Sequence, residues 1–310
     1  MLGIDIGAAA IKLAVMRRRR RRWRLQACVV QPLPDAPSGI GGPDPAVLRE
    51  CLAASLAQLP VPIRDAAVAL TSVDAITRII SLDADLTDQE MENRMALEAE
   101  QHLPFPLSDA SMDFCRLPAG DAAASSVRLA GQDALLVASR RADVEQRVAL
   151  LGEAGIRAVV VDLDGLALGR LVRAMTPGTV QVILDLGAGG FRLHAFAQGR
   201  LFYSRYHHVG VLPVTMTESD PVARLLQEIR RAIQLLLISA TCDQAINVTL
   251  VGGRAALPGL VTRIAQACER PVERVQLPAD VVAHPRLAAV HWQGSVPQLA
   301  LACALAMRGR

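Results

Sequence analysis

The stretch Leu2-Gly3-Ile4-Asp5-Ile6-Gly7-Ala8-Ala9-Ala10-Ile11-Lys12 has a counterpart far along the chain in Val182-Ile183-Leu184-Asp185-Leu186-Gly187-Ala188-Gly189-Gly190. Each is an apolar strand that ends in an aspartate, turns at a glycine and comes back. A tight turn of small residues exposes backbone N–H groups that can wrap a phosphate, and its aspartate can hold Mg²⁺ through water. One such hairpin is ordinarily just a turn. Two at equivalent places of a repeat predict a pair of loops that clasp a nucleotide's phosphates between them.

The surroundings of the two hairpins repeat as well. After the first, residues 11–16 and 23–30 read as strands, Asp44-Pro45 opens a helix, and residues 66–71 form a buried strand. After the second, residues 191–196 and 201–206 read as strands and Asp220-Pro221 opens a helix with a stripe from Val222 to Leu237. Residues 247–251 follow as a strand ending in Gly252-Gly253, where missing side chains leave room for a nucleoside against the backbone. Strand-strand-strand-helix-strand, twice, predicts a duplicated α/β architecture.

A different unit lies between the halves. Thr87 and Glu90 form a capping box, and Met91, Met95, Ala99 and Leu103 line one helix face until Pro104-Phe105-Pro106 stops it. Strands at 111–117 and 133–138 and a helix at 142–154 complete an inserted subdomain over 82–155. The expected division is 1–81 with 156–179 and 296–310 for the first half, and 180–295 for the second.

Composition sets the functional class. The 310 residues are 52% hydrophobic and 20% charged, so the chain is globular and well cored. Its 33 basic residues comprise one lysine, Lys12, and 32 arginines, seven of which fall between Arg17 and Arg24. Without those seven the formal charge of +3 becomes −4, so the basic character belongs to one segment and a nucleic-acid-binding surface is not expected. Aromatic residues, at 3%, are too few for base-stacking platforms. Six dispersed cysteines without a CxxC pair read as reduced core thiols in a cytosolic protein. No signal peptide or spanning helix stands out.

The order of a GIDIG hairpin, a DLG hairpin and a strand-Gly-Gly element resembles the actin-like ATPase superfamily. Within it, Glu98-Ala-Glu-Gln-His-Leu-Pro104-Phe105-Pro106, Leu135-Leu-Val-Ala138-Ser-Arg-Arg141, Val251-Gly-Gly253-Arg-Ala-Ala-Leu-Pro258-Gly259-Leu260 and the closing Ala302-Cys-Ala-Leu-Ala-Met-Arg308 resemble the PilM family of type IV pilus assembly proteins. The resemblance implies a duplicated actin-like, ribonuclease H-like fold with an inserted subdomain. It also implies a cytosolic scaffold at the inner face of the inner membrane that grips the N-terminal tail of a PilN-like membrane protein. Carried onto this chain, it places ATP and Mg²⁺ at Asp5, Gly7, Ala8, Ala9, Ala10, Lys12, Asp185, Gly187, Gly189, Gly190, Gly252 and Gly253, with Asp5 and Asp185 toward the metal. Pro104, Phe105 and Pro106 fall near the partner groove.

Departures from that family bear on the nucleotide. Serines usually follow the first DIG, where Ala8, Ala9 and Ala10 stand, and Ser or Thr usually occupies the positions of Gly189 and Gly190. Three lost hydroxyls at about 1 kcal/mol each weaken affinity by roughly a hundredfold. The stretch from Gly210 to Glu228 is also short where the family inserts a helical subdomain over the nucleoside. The expectation is a non-catalytic assembly protein, at most a weak ATPase. The alternatives are a small-molecule kinase of the superfamily, with Asp162 or Asp164 as base, and an equivalent component of a competence or secretion system. The run Arg17, Arg18, Arg19, Arg20, Arg21 and Arg22 reads as a solvated tip or as an anchor for anionic lipid. His207-His208 has no ligand triad near it in sequence, and metal binding there is not expected.

Overall fold

A computed structural model describes residues 1–20, 22–34, 44–72, 74–83, 86–117, 131–171, 179–210, 220–240, 245–284, 287 and 292–308. Arg21 lies outside them, as do the turn-rich stretch 35–43, the 118–130 loop and residues 211–219. The chain divides into two compact units, Met1–Ala69 with Leu150–Arg310, and Leu70–Ala149.

The larger unit holds the repeat. Its first sheet contains β1 (Leu2–Ile6), β2 (Ala10–Arg19), β3 (Arg22–Pro32), β4 (Asp65–Leu70), β8 (Arg157–Leu163) and β14 (Val281–Ala283), in the order β14-β3-β2-β1-β4-β8. Its second contains β9 (Thr179–Leu186), β10 (Gly190–Ala197), β11 (Arg200–His208), β12 (Ala245–Val251) and β13 (Val272–Arg274), in the order β11-β10-β9-β12-β13. Setting β14 aside, the two sheets share one topology. Two antiparallel strands run outward from the hairpin strand, and a parallel strand joins its other side. The duplication read from the sequence is therefore a duplication of sheets.

Helices cover each sheet for reasons visible in the chain. Helix α1 (Pro45–Ala57) starts where the Asp44 carboxylate accepts the Ala46 N–H, and buries Leu52 and Ser55 against the first sheet. Helix α5 (Asp220–Ala240) packs Val222, Leu225, Ile229, Ile233 and Leu236 against the second, beside α6 (Leu260–Cys268). The helix Val296–Ala306, here α7, has no charged residue and is buried nearly throughout, as expected of a helix apolar on every side. It crosses β1 so closely that a Cβ on Gly3 would collide with the Ala302 carbonyl. Burial pushes the Cys303 thiol on this helix up to about 12 and Cys268 up to about 11, fitting inert core thiols.

The smaller unit is a three-stranded sheet ordered β5-β7-β6, from β5 (Ala75–Asp83), β6 (Ala110–Arg116) and β7 (Gly131–Arg140). Helix α2 (Asp88–His102) lies on one face, capped at both ends of the Thr87–Glu90 box, with Met91, Met95 and Ala99 packed on Ile80, Leu82 and Leu136. The unit takes in β5, ahead of the expected boundary at residue 82. Helix α3 (Arg141–Glu153) carries the chain from the one unit to the other. Among the described residues, no helix is long and apolar enough to cross a membrane.

Candidate functional site

The two glycine hairpins close by the same hydrogen bonds. Gly7 N–H donates to the Ala10 carbonyl at 3.1 Å, and Gly187 N–H to that of Gly190 at 2.9 Å. The carbonyl at each turn's third position is then taken by the outer strand, Ala9 accepting from Leu33 and Gly189 from Val209. Ala8 and Ala9 are exposed, while Ala10 and Gly190 are buried where the chain re-enters the sheet. Gly190 has no room for a side chain, because a Cβ there would strike the His207 carbonyl and lie 3.1 Å from the Tyr206 hydroxyl. The Tyr206 phenol thus lies over the second turn, on the side where a larger residue at 189 or 190 would project.

Both hairpins place a cation opposite their aspartate. Asp5 pairs in register with Lys12, and Asp185 with Arg192. In antiparallel strands such partners stand on the same face. Lys12 Nζ donates to Asp5 Oδ2 at 2.8 Å, with both side chains nearly enclosed. Burial alone would lower Lys12; the Asp5 charge and hydrogen bond, with help from Asp185, outweigh it and hold the ammonium above the ordinary lysine value. Arg192 reaches Asp185 through Nη1 and Asp164 through Nε, each at 3.3 Å, and stacks its guanidinium 5.5 Å from the Tyr206 ring centre. Burial opposes its charge, and Asp185, Asp164 and Asp5 more than restore it.

Asp164 opens α4 (Asp164–Gly169), with a 3%-exposed side chain whose Oδ1 accepts the Gly165 N–H at 2.6 Å. Behind it His194 is fully buried, its Nδ1 2.9 Å from Ser204 Oγ. Burial keeps that imidazole below the usual histidine range, against the pull of Asp164. Asp162 accepts from Arg170 at 2.7 Å and from Arg308 at 3.1 Å. Neither Asp162 nor Asp164 has the free, cleft-facing carboxylate that a kinase's general base needs.

Gly252 sits at φ +91°, where a Cβ would be 2.5 Å from Asp185 Oδ1 and 2.6 Å from the Leu186 carbonyl. Its missing side chain is used to press the end of β12 against the second hairpin. Gly253 is the open one of the two, with its nearest neighbour, Gln298 Nε2, at 3.9 Å. Pro104 and Pro106 are exposed in the smaller unit, and the Phe105 ring lies 4.4 Å beneath the Arg140 guanidinium. The arginine run lies elsewhere, at the far end of β2 and β3.

The donor set does not suit a tightly held Mg²⁺. Asp5 and Asp185, the carboxylates that would face the metal, each have a cation of this chain as partner. No group of three or more His, Cys, Asp or Glu able to hold a metal occurs among the described residues. Of the residues expected to meet a nucleotide, the backbone amides of the two turns and the Lys12 ammonium are the groups whose charge suits a phosphate. Arg192 and Tyr206 were missed by sequence reasoning and Asp164 was weighed only as a base, although one signal was present. Lys12 follows Asp5 by seven residues and Arg192 follows Asp185 by seven, so the repeat is Asp-x-Gly-x₄-Lys/Arg.

Two sheets of one topology, each ending in an Asp–Gly hairpin whose aspartate acts on the other hairpin's cation, define an actin-like α/β protein. The family model described as type IV pilus assembly protein PilM matches residues 3–217 and 220–310, and the chain belongs to that family. The solved PilM-PilN type IV pilus biogenesis complex contains a chain 25% identical to this one, with 99% of this chain and 97% of that chain covered and a TM-score of 0.80. The ethanolamine utilization protein EutJ from Carboxydothermus hydrogenoformans shares the fold at 13% identity, covering 99% of this chain and 89% of its own, with a TM-score of 0.55. The cytoplasmic domain of EpsL, an inner membrane component of the Vibrio cholerae type II secretion system, does so at 13% identity, covering 100% and 95%, with a TM-score of 0.50.

Proposed function

We propose that this chain is a cytosolic scaffold of type IV pilus assembly that holds the N-terminal tail of a PilN-like inner-membrane protein, and that it does this without turning over nucleotide. The observation that carries the reading is the full-length likeness to the PilM of the PilM-PilN complex, at a TM-score of 0.80. Pro104, Phe105 and Pro106 fit a tail-binding surface. Phe105 is a half-buried aromatic held by Arg140 rather than by the core of its unit, and an aromatic presented in this way is a natural anchor for a peptide. ATP is the ligand this reading places between the two hairpins, with Lys12 and the turn amides toward its phosphates. The ion pairs of Asp5 and Asp185 and the absent hydroxyls both weaken that binding.

The test uses the full chain and a labelled peptide copying the N-terminal tail of a PilN-like membrane protein. Saturable binding is expected, weakened at least tenfold (about 1.4 kcal/mol) by Phe105→Ala. In a parallel calorimetric titration, ATP with Mg²⁺ is expected to bind more weakly than micromolar. Absence of peptide binding combined with phosphorylation of a sugar would favour the kinase alternative instead.

A further inference from the structure

The arginine run is built as a ladder. Strands β2 and β3 stay paired to their ends, with Met16 opposite Leu25, Arg17 opposite Arg24, Arg18 opposite Trp23 and Arg19 opposite Arg22. Alternation along the strands separates two faces. Met16, Trp23 and Leu25 are buried against Leu299, Ala302 and Cys303 of α7, and Arg18 lies over the Trp23 ring at 5.8 Å. The other face carries Arg17 beside Arg24 and Arg19 beside Arg22. Like charges directly opposite each other on a sheet repel, and natural sheets avoid the arrangement.

None of Arg17, Arg19, Arg22 and Arg24 forms an ion pair with a described residue. Arg17, Arg18, Arg19 and Arg24 instead line, with Gln26 and His284, a cavity of about 340 Å³. His284 is fixed there because its N–H donates to the Leu25 carbonyl at 2.8 Å beside β14. The hairpin also holds Arg20 at φ +54°, a left-handed conformation that favours glycine or asparagine. Repulsion and backbone strain persist on a rigidly supported strand pair, an arrangement that makes sense when an outside anion completes it.

We infer that the Arg17/Arg24 and Arg19/Arg22 ladder is a docking site for an acidic phospholipid surface, gripping headgroup phosphates through guanidinium pairs. Arginine suits this use because its planar fork binds two phosphate oxygens at once. A lipid surface fits better than nucleic acid, because the tip's one aromatic, Trp23, is buried beneath Arg18 and presents no face for a base. The remainder of the chain is net acidic, so an anionic bilayer attracts this end and repels the others. The choice of a bilayer rests in part on the proposed pilus-scaffold reading, which places the chain beside a membrane protein.

The experiment is co-sedimentation of the full chain with phosphatidylcholine vesicles, with and without a minority of phosphatidylglycerol, at about 0.1 M salt. Binding is expected only with phosphatidylglycerol. The double variant Arg17→Gln/Arg24→Gln is expected to lose about 25-fold in partitioning, about fivefold per arginine. Arg18→Gln/Arg20→Gln removes the same charge from the other positions and is expected to lose less than fivefold. The ladder variant should melt no lower than the parent, since its change relieves repulsion. Equal losses in the two double variants, no binding to phosphatidylglycerol, displacement by millimolar inorganic phosphate, or preference for duplex DNA would each overturn the assignment. Peptide binding by the same protein reports the scaffold reading separately, so failure of either is recognised on its own.

Discussion

Replacing Arg192 by methionine tests whether the cleft is held by its own charges. The substitution keeps much of the aliphatic stem and removes the partner of Asp164, 3% exposed, and Asp185, 14% exposed. Removing one member of a buried pair costs about 3–5 kcal/mol, because the other charge is stranded. Arg192 is itself 27% exposed and both contacts are 3.3 Å long, which puts the expected loss at the lower end, about 3 kcal/mol. For a unit of this size that is a fall in Tm of about 6–12 °C. Asp164→Asn in the same chain removes the stranded charge, so the double variant should be more stable than the sum of the singles by about 1–3 kcal/mol. Urea denaturation of parent, singles and double supplies the cycle. Millimolar Mg²⁺ should raise the Tm of Arg192→Met more than that of the parent, since only the variant lacks the guanidinium beside Asp164 and Asp185. A loss below about 1 kcal/mol with additive singles would show that Arg192 is an ordinary surface arginine and would refute the reasoning.

Two further outcomes follow from the same site. His194 is buried and held below its ordinary pKa, so below about pH 6.5 the unfolded chain takes up a proton that the native state refuses. Its contribution is therefore present above that pH and is lost on acidification by at most about 1.4 kcal/mol per pH unit. His207, lowered by burial and then by Arg205, acts in the same direction, and His194→Asn should flatten the slope of stability between pH 6.5 and 5 without abolishing it. A slope unchanged by the substitution would remove His194 from the account. Gly252→Ala should cost about 3 kcal/mol, combining an unfavourable φ with the collision at Asp185, whereas Gly253→Ala should stay within about 0.5 kcal/mol. Equal effects in chemical denaturation would mean that the end of β12 is not pinned to the second hairpin.

The hairpins, the strand-helix order and the helix starts at Asp44 and Thr87 were legible because each rests on local chemistry: a turn needing small residues, a side chain meeting orphan N–H groups. Strand β5 was not legible. Arg78 shares a parity with Ile76, Ile80 and Leu82, while Ile79 points the other way and is 43% exposed, so the alternation that marks a half-buried strand is blurred. The arginine run hid a strand end, since a block of like charge reads as a solvated tip until its pairing is known. Asp164 was weighed only as a base, because nothing local to it reveals that Arg192 will arrive from another strand.

The position of Arg192 shows how the duplication shapes the site. Each hairpin carries its cation seven residues after its aspartate, so each copy neutralises itself, and the two pairs still sense one another. Asp185 strengthens the charge of Lys12, and Asp5 that of Arg192. A nucleotide-driven machine leaves such carboxylates and cations to be bridged by phosphate and metal, so that the spacing of its halves follows the ligand. Here the charges that answer the aspartates are side chains of the same hairpins, and one of them, Arg192, also reaches the buried Asp164 of a third element. Binding of phosphate must then displace existing ion pairs, and the energy released is smaller by what those pairs contribute. Paired charges of that kind favour one fixed spacing of the two hairpins, which fits the scaffold proposed above.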